Sequence, residues 1–185
     1  MIEFLLMVNK QGQTRLAHYT KYTSIKERST LEAELVRKCL SRNNKQCAFL
    51  DYRNYKIIYR RYASLYFILG LDLKDDCNEL SLLELIHNIV ETLDKYFENV
   101  CELDIMFNLE KAHFIVDEFL SNGCILDANR TNILAPILQL DKLNKSNGKW
   151  SEIFIHNIWT NILAPVLLLD KQSKGNGKWY NRGIF

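Results

Sequence analysis

A chain of 185 residues with 48% hydrophobic content can bury one good core, or one domain together with a tail. Its 24 basic and 22 acidic residues leave a net charge of +2, too balanced for a protein that holds nucleic acid by charge. The apolar N-terminal run is short, is interrupted by Glu3 and lacks a basic region and a cleavage site, and no stretch reaches the ~20 apolar residues of a membrane span.

Residues 2–9 and 14–18 read as two strands around Lys10-Gln11-Gly12, a hairpin loop in which Gly12 can take positive φ. From about Ser24 to Arg42 the period becomes helical. Leu31, Leu35, Val36, Cys39 and Leu40 share a stripe, with Lys26, Glu27, Glu34 and Lys38 mostly off it. Asn43-Asn44-Lys45 breaks that run. Three further strands follow over 47–52, 55–62 and 64–71, the first two joined by Arg53-Asn54, and Asp72 to Asp76 is a charged loop.

A second helix is predicted from about Glu79 to Glu98, with an apolar stripe of Leu82, Leu83, Ile86, Ile89, Val90, Leu93 and Phe97. A third is predicted from about Leu103 to Leu120, ended by Asn122-Gly123 as a helix stop. A last helical piece covers Ala128–Leu140. The order ββα-βββ-αα specifies an α+β architecture, one mostly antiparallel sheet with helices on its faces.

The far end repeats itself. Thr131-Asn-Ile-Leu-Ala-Pro136 recurs as Thr160-Asn-Ile-Leu-Ala-Pro165, and Asn147-Gly-Lys-Trp150 as Asn176-Gly-Lys-Trp179. Two copies do not make a solenoid, which needs about three units to bury a shared core. The repeat reads as a recent local duplication or as an artefact of how the coding sequence was assembled. Residues 1–142 are expected to form the domain. Residues 143–185 are expected to be a poorly ordered or loosely docked extension, with linkers at 144–149 and 172–178.

Cys39, Cys47, Cys77, Cys101 and Cys124 are odd in number and include no C-x-x-C pair, which points to reduced thiols in the cytosol. His87, Asp94 and Cys101 recur at seven-residue steps. At about 1.5 Å rise per residue they stand ~10 Å apart, so they cannot form a hydrolytic triad. His18 and His113 lack partners at metal-ligand spacing. Phosphate-loop, dinucleotide and nucleophile-elbow motifs are missing, which argues against an enzyme. Arg60 and Arg61, among Tyr59, Tyr62 and Tyr66, are expected on opposite faces of a strand. They therefore do not form one stacking platform for nucleic acid, and an interface or salt-bridge role is expected for them.

The most specific run is Ile57-Ile58-Tyr59-Arg60-Arg61-Tyr62-Ala63-Ser64-Leu65-Tyr66-Phe67, two strands' worth of β-branched and aromatic residues joined at Ala63-Ser64. Two aliphatics, Tyr, a basic residue, four free positions and then Leu-Tyr-Phe make a pattern that resembles the signature of the small (sigma) subunits of clathrin-adaptor-type complexes. The hairpin Asn9-Lys-Gln-Gly-Gln-Thr-Arg-Leu16 and the joint Tyr96 to Phe107 extend the resemblance over residues 1–142. Leu6 to Arg15, Asn122-Gly-Cys-Ile125 and Ile133-Leu-Ala-Pro136 look most like the sigma subunit of the fourth adaptor complex, which works at the trans-Golgi network without a firm dependence on clathrin.

This resemblance implies a longin-like fold, a five-stranded antiparallel sheet with helices packed on both faces. It implies a non-catalytic binding module with no cofactor and no metal. Its partners would be two large subunits and a medium (mu) subunit in a heterotetramer. Its setting would be the cytoplasmic side of trans-Golgi network and endosomal membranes and coated vesicles, with membrane association through the complex. The rival reading is a longin-type domain of another trafficking factor, a Golgi coat small subunit or a SNARE regulatory domain. A SNARE would need heptads and a membrane anchor after the domain, and residues 143–185 provide neither.

The resemblance also implies a site for acidic dileucine sorting signals of transmembrane cargo. Ala63 and Leu65 would form the sheet side of the leucine pockets, and Val90, Asn99, Val100 and Leu103 the helix side. Arg15 would face the acidic residue upstream. Burying a Leu side chain yields ~1.5–3 kcal/mol and supplies most of the affinity, whereas an exposed Arg–carboxylate pair adds only ~0–1 kcal/mol. Micromolar or weaker binding follows. The competing reading is that these apolar residues are ordinary core or subunit interface.

Overall fold

A computed structural model describes residues 1–42, 46–75 and 77–147. Residues Met1–Gln139 form one compact unit, and a second begins at Leu140, of which the described part is the end of a helix. The second copy of the repeat and the linker expected at 172–178 lie outside the described residues, whereas residues 144–147 of the linker expected at 144–149 are helical, as the end of the last helix.

Five strands, β1 (Ile2–Asn9), β2 (Thr14–Tyr19), β3 (Phe49–Tyr52), β4 (Tyr55–Tyr62) and β5 (Leu65–Asp72), form an antiparallel sheet in the order β2-β1-β5-β4-β3. Three of the four pairings are local hairpins. The fourth joins β1 to β5 across more than fifty residues, placing Asn9 opposite Leu65 and Met7 opposite Phe67. β1 and β5 are thereby central, and nearly every side chain on both is buried.

Helices cover both faces because each central strand is apolar on both. Leu5 and Met7 of β1 and Leu65, Phe67 and Leu69 of β5 join one core cluster, with α2 (Glu79–Phe97), α4 (Leu109–Phe119) and α5 (Arg130–Asn147). Phe4, Leu6 and Val8 join Tyr59 and Ile68 in a second cluster under α1 (Ile25–Leu40). The period-2 alternation of a strand thus feeds two cores at once. Leu31, Leu35, Val36 and Cys39, four of the five residues of the predicted α1 stripe, are its buried residues. Ser24 caps α1 in a reciprocal box with Glu27, which fixes its start.

Several boundaries differ from those read from the sequence. The helix expected from Leu103 to Leu120 is two: α3 (Glu102–Phe107) and α4, separated at Asn108. Asn108 sits at φ −122, ψ 44, outside the helical region, and its side-chain amide donates back to the Asp104 carbonyl at 3.0 Å. A short polar side chain offers the backbone a non-helical alternative there, which apolar periodicity does not register.

Asn122-Gly123, expected to stop a helix, instead turns a small hairpin between β6 (Leu120–Ser121) and β7 (Cys124–Ile125). Both residues take positive φ, as a two-residue hairpin turn of the Asn-Gly type requires. The last helix starts at Arg130, two residues later than expected, because Asn129 caps it by accepting from the Thr131 N–H. It runs through exposed Pro136 to Asn147, beyond the expected end at Leu140. Strands β3 and β5 begin at Phe49 and Leu65, one or two residues inside the expected limits, while β2 and β5 each extend one residue further.

The five cysteines are all unpaired, with Cys39 buried and the others exposed. Among the described residues no helix is long and apolar enough to cross a membrane.

Candidate functional site

The β1–β5 pairing brings the predicted site residues to one end of the sheet. Ala63 and Ser64 form the two-residue turn between β4 and β5, closed by the Tyr62–Leu65 pair. Ala63 takes φ +49, and its carbonyl accepts from Arg61 Nε at 3.2 Å. Leu65 is buried in the core cluster beneath α2 and α4. Val90 of α2 and Val100, in the loop after it, are half-buried and pack against that same cluster.

The loop that carries Val100 is built by its own residues. Glu98 ends α2 in the left-handed region and Asn99 continues there at φ +76, which turns the chain sharply. Asp94 then accepts the Val100 N–H at 3.0 Å. Cys101 opens α3 with its N–H on Asp104, and Leu103 of that helix is 55% exposed.

Arg15 on β2 is not a free cation. Its Nε donates to Glu102 Oε1 at 2.8 Å and its terminal nitrogen to Gln13 Oε1 at 2.8 Å. Asn9, wholly buried at the end of β1, donates to the same Glu102 oxygen at 2.9 Å. The Asn9 carbonyl oxygen accepts the Gln11 and Gln13 N–H groups, so this one side chain organises the β1–β2 loop and reaches across to α3. Asn9's amide first, and Arg15's guanidinium with it, hold the Glu102 carboxyl below its ordinary range.

Sequence reasoning singled out Arg15 but neither Asn9 nor Glu102. Arg15 and Glu102 stand 87 positions apart, and no motif spacing links a strand-end Arg to a helix-start Glu. The one available signal was the placement of both within stretches that carry the family resemblance.

Ala63 also borders a groove on the α1 side of the sheet, of about 560 Å³, whose lining includes Arg42, Arg60, Arg61, Tyr59 and Tyr66. Arg60 lies over the Tyr62 ring and Arg61 over the Tyr66 ring, 5.3 and 5.7 Å from their centroids. These tyrosines pack against opposite cores, in keeping with opposite faces for the two arginines, yet both arginines reach the groove. Among the described residues none of Arg42, Arg60 and Arg61 pairs with a carboxylate, so the expected salt bridge is not formed there.

The seven-residue series does not lie on one helix: His87 and Asp94 are on α2, whereas Cys101 stands beyond the turn at Glu98-Asn99, at the start of α3. His87 Nδ1 lies 3.1 Å from the Tyr62 hydroxyl and stacks on that ring, while Asp94 serves the Val100 N–H. His18 Nδ1 lies 3.2 Å from Asp117. Burial pushes the neighbouring His113 imidazole down, with Asp117 acting in the opposite sense.

Residues 1–144 match the family model described as clathrin adaptor complex small chain. The chain is 62% identical over 141 residues to the AP-4 complex subunit sigma of Arabidopsis thaliana, covering 76% of this chain and 97% of that protein. It is 54% identical over 146 residues to the human AP-4 complex subunit sigma-1, covering 79% of this chain and all of that one. In three dimensions it is similar to a chain of a homology model of the full-length AP-3 complex in a stretched open conformation. The TM-score is 0.63 at 28% identity, over 80% of this chain and 98% of the other.

Proposed function

Because this chain belongs to the clathrin adaptor complex small chain family, we propose that it acts as the sigma subunit of an adaptor complex of the AP-4 type and carries a cargo pocket for dileucine signals. It is a non-catalytic small subunit of a multi-subunit adaptor assembly with large and medium subunits, working in vesicle-mediated transport. The finer reading places that assembly at trans-Golgi network and endosomal membranes, held there through the complex. Residues 1–142 are the functional domain in this reading, and residues 143–185 lie outside it.

One observation carries the pocket. Leu65, Val90 and Val100, from a strand, a helix and a loop far apart in sequence, pack on one core cluster at the sheet end where Arg15 is anchored. Leu103 lies open one residue beyond Arg15's partner Glu102. Two leucines of an extended peptide laid on this surface gain burial without opening the core, at ~1.5–3 kcal/mol each. In this reading Asn99, exposed in the left-handed turn, meets the peptide backbone.

Val90→Asp tests the reading in the reconstituted complex. It puts an uncompensated charge where a leucine must sit. Binding of a Glu-x-x-x-Leu-Leu peptide is expected to vanish while co-purification with the large subunit persists. Equal peptide affinity for variant and parent overturns the pocket.

A further inference from the structure

We propose that Glu102 sets how strongly this site reads the acidic residue upstream of the two leucines, an inference that rests on the dileucine reading of the pocket. The expected reader of that residue, Arg15, already has an internal carboxylate at 2.8 Å, and its other bonded nitrogen is held by Gln13. Both side chains of the Arg15–Glu102 pair are only 23% exposed. Water therefore screens the pair less than it would an open surface pair.

Glu102 is not a loose surface group that swings aside. Its bonded oxygen also accepts from Asn9, whose side chain is wholly buried and holds the β1–β2 loop through the Gln11 and Gln13 N–H groups. Moving the carboxylate away from Arg15 means breaking a contact anchored in the fold. An incoming acidic side chain accordingly meets a pair of zero net charge. What it gains from Arg15 is offset by repulsion from Glu102. The leucines remain readable, since Leu65, Val90 and Val100 meet them through apolar contact on the core cluster and not through this pair. Glu102 thus makes the site selective for the apolar part of the signal and nearly indifferent to the acidic part.

The test compares peptides Glu-x-x-x-Leu-Leu and Gln-x-x-x-Leu-Leu on the complex reconstituted with the full chain, as parent and as Glu102→Gln. Gln keeps the shape and an acceptor for Asn9 while removing the charge. The parent is expected to separate the two peptides by less than about twofold. Glu102→Gln is expected to prefer the Glu peptide by about threefold to fivefold, the worth of an Arg–carboxylate pair near the surface, and this preference should shrink at high salt.

Adding Arg15→Gln should erase the gained preference. The same peptide ratio in parent and Glu102→Gln, equal weakening of both peptides, or a preference that survives without Arg15 overturns the role of Glu102. Binding of the Glu peptide but not the Gln peptide by the parent overturns the role of Glu102 alone, whereas failure of both peptides to bind parent and variant overturns the pocket reading and this inference with it.

Discussion

Phe4 lies across Gly70. The two are paired in register on β1 and β5, and a Cβ built on Gly70 would fall 2.1 Å from the nearest carbon of the Phe4 ring. The ring uses the space a side chain would fill and meets Tyr55 edge-on, with centroids 5.4 Å apart. The central strand pair that positions Asn9 beside Leu65 therefore depends on a missing methyl.

Gly70→Ala should destabilise the domain by about 1–3 kcal/mol, as overpacking in a dense core does. Chemical denaturation of the parent and variant measures it. Phe4→Leu in the same chain should recover part of the loss, because it clears the ring from the new Cβ. Independent, additive effects of the two changes would show that the contact is not the cause.

Asn9→Ala should cost about 1–3 kcal/mol, since it removes the bonds that the buried Asn9 side chain makes to the Gln11 and Gln13 N–H groups and to the Glu102 carboxylate. The same denaturation experiment reads the stability. Faster amide exchange confined to the β1–β2 loop and the start of α3 is the expected local sign. Unchanged exchange at α3 would mean that Asn9 does not couple the two elements.

Ala63→Gly should stabilise the β4–β5 hairpin or leave it unchanged. The left-handed conformation costs a non-glycine residue roughly 1–2 kcal/mol, and the greater unfolded-state entropy of Gly returns roughly 0.5–1 kcal/mol of that. A melting temperature equal to the parent's or higher is expected. Ala63→Val should lower it clearly, because a β-branched residue tolerates φ +49 poorly.

Acidification should weaken the fold through His113. Burial holds its folded-state pKa below the ordinary 6.5, while Asp117 pulls it up and His18 pushes it down. The unfolded chain then binds more protons as pH falls, so this stability is present above about pH 6.5 and is lost below it. Melting temperature should decline from pH 7.5 to 5.5, and His113→Gln should flatten that decline. Glu102 acts in a separate, lower window. Its depressed pKa means its contribution persists above the ordinary 4.5 and is lost as pH falls through the folded value.

Much of this was legible in one dimension where the cause is local. The alternation in β1 and β5, the stripes of α1 and α2 and the turn at Ala63-Ser64 follow from neighbours within a few residues. So did the run from Ile57 to Phe67, which carries the family resemblance. What local pattern misjudged was short-range polar competition, as at Asn108, where one side-chain amide divides a helix, and at Asn122, where a hairpin replaces a helix stop.

The sequence by itself determined the order of the elements from β1 to α2, the apolar faces and the residue types available to a leucine pocket. Only the tertiary structure decided that β1 pairs with β5, that Asn9 is buried opposite Leu65, and that Glu102 neutralises Arg15. The reason is physical. Periodicity and turn chemistry act over a few bonds, whereas a charge pair between residues 87 positions apart exists only once two cores have drawn strand and helix together.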